Sequence, residues 1–331
     1  MRKDFALCFN DGYSPYASVT IRSIMSNMKK SDDVHIHILS DFISAQNQDI
    51  LNRITECGHL HIYICDNVAC FRNLKTSVWS IYTWYRLMLP EIVDINIEKI
   101  LYLDCDVVVN RDLDELFSMN MEGYAIAGCL DIQSYNPTTF SRIGYSSDSR
   151  YICAGVLLMN LSKWRKEKIS DTVINFALEN EERILYPDQD AINYVCRNEK
   201  IILPCRYGVI VPYFRNMDFI EEHMDEMDNL MASPCIVHYA GYAPWIYCKN
   251  KSLHSGLWWM HYKSLHNFPE VRKNYYVSFV KYCIRYILST AHLIKPENKF
   301  YLKNQYYYHP KVTAKSVMNL TQKLGHTISK N

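Results

Sequence analysis

Short apolar runs, turns and helically spaced apolar residues alternate through the first 65 residues. Phe5 to Phe9 (FALCF) reads as a buried strand and the turn NDGYSPY follows it. Val19, Ile21, Ile24, Met25 and Met28 then fall on one face of a helix. A second strand begins at Val34 (VHIHILS). Ser44 is placed to cap a second helix whose inner face is Ile50, Leu51 and Ile54. A third strand, HLHIYIC, ends at Cys65. The order β-α-β-α-β predicts the nucleotide-binding half of a mainly parallel sheet.

Beyond it, Ser77 to Pro90 (SVWSIYTWYRLMLP) reads as helical and sets Arg86 inside an apolar segment. A buried Arg needs an anionic partner, either a structural carboxylate or a ligand phosphate. Glu98 to Asn110 (EKILYLDCDVVVN) holds two apolar runs separated by Asp104 and Asp106, and Gly123 to Asp131 is another buried strand ending in an acid. Residues 132–150, rich in Ser, Tyr, Asn and Gly, read as a long loop, a feature that is often functional. Tyr151 to Asn160 is a strand, and Ser162 is placed to cap the helix after it, SKWRKEKISDTVINFALENE. YPDQDAINYVC sets Asp188, Gln189 and Asp190 at a helix start, where acids also complement the helix dipole. Residues 212–234 are acidic and Met-rich and read as surface; Cys235 to Tyr239 is a short strand running into HYAGYAPW.

The Asp-x-Asp pair carries the strongest chemistry. In an extended chain, residues i and i+2 point to one side. Two carboxylates at ~6 Å repel by about 3 kcal/mol at an effective dielectric of ~20. A divalent cation shared with a diphosphate would offset that, and oxygen ligands with open positions suit Mg²⁺ or Mn²⁺. The apolar flanks put the acids at a strand end, where α/β sheets bind ligands; a solvated turn is the plainer alternative. His35, His37, His59 and His61 also alternate, but places on polar strand faces account for them without a metal.

The bulk numbers change the picture at one end of the chain. The 331 residues are 49% hydrophobic and 21% charged, with net charge +1, as in a globular protein. Residues 271–331, however, hold 11 Lys and Arg against one acid, Glu297, a net of +10, and eight Tyr. In that stretch Val277, Val280, Ile284, Ile287, Leu288 and Ala291 follow helical spacing, with Lys281, Arg285 and His292 elsewhere on the wheel. This predicts an amphipathic helix with a basic side, suited to an anionic membrane surface. A helix packed on the rest of the protein with a solvated basic face, or a nucleic-acid contact, is the competing reading. The 12 Cys include no C-x-x-C pair, the start has no signal-peptide pattern, and no apolar run is long enough to span a bilayer. The expectation is free thiols and a cytoplasmic protein, peripheral on the inner face of the cell membrane.

Seven segments, in this order, carry a resemblance. They are FALCFNDGYSPY, YRLMLP, ILYLDCDVVV, the strand end CLD, AGVLLMNLSKWR, YPDQDAIN and HYAGYAPW, spread over about residues 4–247. The chain resembles glycosyltransferase family 8, in particular its bacterial branch of lipopolysaccharide galactosyl- and glucosyltransferases. The resemblance implies a GT-A type α/β fold, a mixed nucleotide-binding sheet flanked by helices. It would occupy residues 1–267, with residues 268–331 as the basic tail. It implies a retaining transfer of galactose or glucose from a UDP-sugar to a glycan or glycolipid acceptor, with Mn²⁺ or Mg²⁺ held by Asp104, Asp106 and His238.

By the same resemblance Tyr13 stacks on uracil and Asn10 hydrogen-bonds it, while Arg86 meets the donor's phosphate or sugar side. Asp131, Asp188 and Gln189 hold the sugar hydroxyls, and Asp190 is a further carboxylate near the reaction. Cys8, Cys105, Cys153, Ala154, Gly241 and Lys249 complete the implied donor contacts. The family usually has Asn where this chain has Cys153, and a Lys before the Pro-Trp of the last motif that this chain lacks; Lys249 and Lys251 are the nearest replacements. No nucleic acid is implied. A catalytically inactive relative that binds nucleotide sugar or glycan is the alternative, against which Asp104, Asp106, His238 and Asp188 argue. A nucleotidyltransferase would need a Gly-rich phosphate turn, and none is present.

Overall fold

The structure is a computed structural model that describes residues 1–65, 71–76, 78–247, 253–265 and 268–290, with side chains to 285. The strands are β1 (Arg2–Cys8), β2 (Asp33–Ser40), β3 (His59–Ile64), β4 (Lys99–Leu103), β5 (Val107–Val109), β6 (Ile126–Leu130), β7 (Ile152–Asn160), β8 (Lys200–Ile202), β9 (Val209–Ile210) and β10 (Ile236–His238). The helices are α1 (Ser14–Asn27), α2 (Ala45–Ile54), α3 (Leu89–Ile92), α4 (Asp114–Phe117), α5 (Pro137–Ile143), α6 (Leu161–Glu167), α7 (Ile169–Glu179), α8 (Pro187–Val195), α9 (Met217–Glu222), α10 (Met227–Ala232), α11 (Ser255–Leu265) and α12 (Pro269–Thr290). The described residues fall into two compact units: residues 1–209 with 234–238, and residues 210–233 with 239–290.

The first unit is built on a seven-stranded sheet of order β3-β2-β1-β4-β7-β6-β8. β3, β2, β1 and β4 run parallel, whereas β7 is antiparallel to both β4 and β6. The expected β-α-β-α-β order holds, and Ser44 does cap α2, its side chain accepting from Asn47 N. Strands buried on both faces need apolar residues at successive positions. Phe5, Ala6 and Leu7 meet this, as do Ile100, Leu101 and Leu103, all 0% exposed. One apolar core joins Ala6, Cys8, Ile100 and Tyr102 of the sheet to Trp84 and Tyr85, to Trp164 of α6 and to Phe176 of α7.

Several expectations change. Glu98–Asn110 is not one extended strand: β4 ends at Leu103, residues 104–106 turn, and β5 joins a second, small sheet antiparallel to β10. The buried polar face of α1 explains the break. Thr20 Oγ1 donates to Cys105 O (2.9 Å) and Val107 O (2.8 Å), and Ser23 Oγ accepts from Val109 N at 2.9 Å. Asn27 Nδ2 donates to Val109 O at 3.0 Å, so one helix holds the whole turn.

The stretch before Pro90 is helical but tight, a 3-10 helix over Ile81–Met88 that passes into α3. Asn160, not Ser162, caps α6, accepting from Lys163 N at 3.0 Å. The single long helix expected after it is broken at Lys168, whose φ of 52° is left-handed. Residues 132–150 are not a bare loop, for they contain a 3-10 turn and α5, which ends at Gly144 with φ of 95°. Residues 212–234 are only half surface: Phe219, Ile220, Leu230 and Met231 are buried. The histidines of β2 do not lie on a polar face either, because His35 and His37 are buried.

In the second unit, His254 lies just before α11 and is 5% exposed. Burial pushes its pKa down to about 4, against a contact with the Leu230 backbone. An imidazole neutral in the fold and protonated when unfolded makes stability fall as pH drops from about 6.5 towards 4. At ~1.4 kcal/mol per pH unit that is an upper bound of about 3.5 kcal/mol. His254→Phe should therefore flatten the acid limb of a denaturant-midpoint profile between pH 7 and pH 4, while leaving its alkaline limb unchanged.

Candidate active site

The turn after β4 carries Asp104 and Asp106, and β10 ends on His238 beside it. His238 Nε2 lies 3.2 Å from Asp106 Oδ1 and 3.6 Å from Asp104 Oδ2. One ligand atom from each of the three residues falls within 4.8 Å of the others. Asp104 N donates to Gly155 O at 2.8 Å, which draws β7 against the turn. A Cβ at position 155 would meet His238 Cε1 at 2.2 Å and Asp104 Oδ2 at 2.6 Å, so only glycine fits this close approach. The ring of His238 is buried. Burial alone would lower its pKa, but the Asp106 carboxylate, helped by Cys153, holds it well above the ordinary value.

Arg86 ties this cluster to a second pair of elements. Its guanidinium is 2% exposed and lies 3.8 Å from the centre of the Tyr102 ring. Nη2 donates to Asp104 Oδ1 at 3.0 Å, Nη1 donates to Ala154 O, and Nε donates to Thr83 O at 2.9 Å. Nε is also 3.1 Å from the buried Asp188 Oδ2. Burial works against the Arg86 charge, yet Asp188, Tyr102 and Asp104 hold its pKa above the usual arginine range. Burial likewise opposes ionisation of Asp104, but Arg86, His238 and the Tyr102 hydroxyl at 2.8 Å keep its carboxyl below the usual range. For Asp188 burial prevails over Arg86, and with the Asp104 charge nearby its pKa is pushed up to about 6.

The start of α8 supplies the remaining polar groups. Gln189 Oε1 accepts from Ala154 N at 2.9 Å, and its Nε2 reaches Asp131 Oδ2 at 3.4 Å. Burial raises the Asp131 carboxyl, against the Gln133 N–H that it caps at 2.8 Å. Asp190 is 0% exposed and fully engaged. It accepts from Arg142 at 2.6 and 3.1 Å, from the Tyr151 hydroxyl at 2.7 Å, and from Leu185 N and Tyr186 N at 2.7 and 2.8 Å. Cys153 Sγ sits 3.5 Å from His238 Nδ1, on the far side of the ring from the two acids.

The first unit thus brings together Asp104, Asp106, His238, Arg86, Asp188, Gln189, Asp131, Cys153 and Ala154. Cys8 and Cys105 are buried beside them, with Cys105 Sγ 4.0 Å from Cys8 O. Asn10 caps the 3-10 turn Asp11–Tyr13 after β1, and Tyr13 is 38% exposed. Gly241 belongs to the second unit, at φ of 75°. Lys249 and Lys251 lie outside the described residues. Sequence reasoning missed Tyr102, Gly155 and Thr20. Tyr102 could have been found as the aromatic two residues before Asp104 on a strand, and Gly155 as the glycine between two β-branched or apolar runs; nothing in the sequence marks Thr20.

The donor set fits a hard divalent ion: two carboxylates and one imidazole, already gathered. Arg86 balances Asp104 and Asp188 without reaching Asp106. Arg86→Met would strand two buried carboxylates, and removing one partner of a buried pair costs about 3–5 kcal/mol. Urea denaturation should show a loss of that size, whereas a change below 1 kcal/mol would mean that the cluster is not held by Arg86.

Residues 4–249 match glycosyl transferase family 8. A Haemophilus influenzae protein of inferred glycosyltransferase activity is 32% identical over 203 residues, 59% of this chain and 60% of that one. The chain thus spans less than two thirds of that relative. A lipopolysaccharide 1,2-glucosyltransferase of Escherichia coli is 24% identical over 245 residues, 71% of each chain. The crystal structure of the galactosyltransferase LgtC with donor and acceptor sugar analogs superposes with a TM-score of 0.72 at 23% identity, covering 82% of this chain and 99% of that one. That likeness establishes a common fold, and the match over three quarters of the sequence establishes that the chain belongs to glycosyltransferase family 8.

Proposed function

We propose that the chain is a metal-dependent retaining hexosyltransferase that moves galactose or glucose from a UDP-sugar to a surface glycan such as a lipopolysaccharide core. The observation that carries this reading is the convergence of Asp104, Asp106 and His238 beside the polar groups of Asp188, Gln189 and Asp131. Mn²⁺ or Mg²⁺, when bound by the first three, supplies Lewis-acid stabilisation of the leaving diphosphate. A glucosyltransferase and a galactosyltransferase both stand among the relatives, which supports a hexose donor without choosing between them.

The chain's own groups divide the remaining work. Tyr13, exposed beside the Asn10 cap, offers a ring to the uracil, and Asn10 offers an amide. Arg86 fixes Asp104 and Asp188 in place, and the Asp188 carboxylate is the group that would accept from a sugar hydroxyl. Gln189 is braced by Ala154 and turned towards Asp131, which suits a pair that orients the hexose. An amide is a poor nucleophile, so front-face attack, with the departing phosphate taking the acceptor's proton, is the favoured route to retention. The five hydrogen bonds on Asp190 leave it no lone pair for the sugar; its role is to hold the start of α8. Cys153, where the family resemblance leads one to expect Asn, lies against His238 Nδ1 and is the first position to examine for donor choice.

We propose further that residues 268–331 form a membrane-associating tail on a transferase domain of residues 1–267. No described helix is long and apolar enough to cross a membrane. Yet Tyr276, Val277, Val280 and Ile284 of α12 are 60%, 43%, 53% and 52% exposed, beside the exposed basic residues Lys273, Lys281 and Arg285. An open apolar stripe flanked by cations fits an anionic leaflet. Each Lys or Arg near it contributes ~1 kcal/mol. Attachment there would bring the site close to a lipid-linked acceptor.

Three measurements follow. Asp106→Asn should cut transfer by more than about 100-fold and weaken Mn²⁺-dependent UDP binding, since even outer partners of metal ligands carry 10–100-fold effects. Asp188→Asn should cut transfer by about 100-fold through lost sugar orientation. It should leave UDP affinity within about threefold, under ~0.7 kcal/mol. Equal losses of transfer and UDP binding in Asp188→Asn would remove it from the sugar. For the tail, the full chain should sediment with anionic vesicles at low salt and release as salt screens the field over about 8 Å. A chain ending at Asn267 should stay in solution; equal binding of the two would make the tail structural.

A further inference from the structure

The three parallel strands β1, β2 and β3 carry a second convergence of ligating groups that the transfer reaction does not use. The register pairs His35 with His59 and His37 with His61 across β2 and β3. His37 is satisfied within the fold: Nε2 lies 2.9 Å from Asp4 Oδ1 and Nδ1 lies 3.0 Å from the Tyr63 hydroxyl. His35 is not. Its Nδ1 lies 3.0 Å from His61 Nε2, with the two ring planes 3° apart, so one proton bridges that pair. Its Nε2 is buried without a hydrogen-bond partner, 3.1 Å from Asp33 Oδ1 but misaligned for a bond to it. His59 Nε2 approaches the same Asp33 oxygen at 3.2 Å. Two imidazole nitrogens thus converge on one carboxylate oxygen, and what such a cluster lacks is a cation.

Four imidazoles crowd this face, with ring centroids of His35–His59 and His37–His61 at 4.4 and 4.7 Å, and the Arg2 guanidinium pairs with Asp4 nearby. A neutral imidazole offers a lone pair to a metal.

We propose that Asp33, His35 and His59 form a 2-His-1-carboxylate site for a late first-row divalent cation, with Zn²⁺ as its representative, separate from the Asp104, Asp106 and His238 site. Imidazole-rich donors suit Zn²⁺ and its neighbours, whereas the active-site set is richer in hard oxygen. Ligand atoms around a tetrahedral Zn²⁺ stand about 3.3 Å apart, close to the 3.1 Å between His35 Nε2 and Asp33 Oδ1. His61 becomes the outer partner that fixes the His35 tautomer with Nε2 bare, the usual support for a metal-bound imidazole. Asp33 and His59 side chains are 51% and 58% exposed, which gives the ion a path from solvent and leaves positions for water. Coordination requires the exposed His59 ring to turn out of its stack on His35. The bound ion would then pin edge strand β3 to β2. The inner trio His35, His37 and His61 also gathers its nitrogens, but binding there would break hydrogen bonds already made.

The test is Zn²⁺ titration of the metal-free full chain by calorimetry, with Co²⁺ absorption as a ligand-sensitive readout. The protein is compared with Asp106→Asn, Asp33→Asn and His59→Ala. Asp106→Asn should keep one Zn²⁺ equivalent. Asp33→Asn and His59→Ala should weaken that equivalent by at least about 100-fold, beyond the effect of losing an outer partner. Both should leave Mn²⁺ binding and the melting temperature of the metal-free protein unchanged. Loss of all Zn²⁺ binding in Asp106→Asn would place the ion in the active site and overturn the proposal. So would Zn²⁺ binding that survives His59→Ala but fails in His61→Ala, which would assign the inner trio, or an unmodified chain that binds no Zn²⁺ at micromolar concentrations.

Discussion

Arg86 is buried among Asp104, Asp188, Thr83, Ala154 and Tyr102, and the geometry of the site depends on how that one charge is neutralised. Its three nitrogens face the turn after β4, the backbone of β7 and the start of α8. A guanidinium removed from water must be fully paired. Neutralising it therefore fixes the relative positions of three elements distant in sequence. Asp106, which Arg86 does not reach, is left with His238 as its nearest cationic partner.

A second constraint acts from the other side of the turn. A strand that continued past Leu103 would carry Asp106 away from β10. The polar residues Thr20, Ser23 and Asn27 of α1 instead capture Cys105, Val107 and Val109, and the chain passes into a separate sheet where β5 meets β10. Gly155 then allows β7 to close on Asp104 and His238 with no side chain between them. Each of these contacts would be costly to leave unmade in a buried setting.

Local pattern revealed the outline of the fold because that outline rests on local chemistry. Continuous apolar runs marked β1, β4 and β7; a Ser at position 44 marked the start of α2; and the ordered motifs marked the family over nearly the span that matches it. Where long-range contacts override local preference, the sequence was mute. The turn at residues 104–106 depends on a hydroxyl 85 residues away. The left-handed break at Lys168 has no glycine to announce it. Asp190 looked as available as Asp188, and only the surrounding Arg142, Tyr151 and backbone donors reveal that its lone pairs are already taken. The alternating histidines were visible as a pattern, but a polar face and a buried face give the same alternation. Their burial, not their spacing, is what gives them chemistry.

The account stands on a divalent ion and a hexosyl donor meeting at Asp104, Asp106 and His238. The most direct measurement is release of UDP from a panel of UDP-sugars, with and without Mn²⁺, after removal of bound metal by a chelator. The account predicts that UDP-galactose or UDP-glucose is turned over to UDP and free or transferred hexose only when the ion is restored. Full turnover in the chelated protein, or release of pyrophosphate in place of UDP, would contradict it.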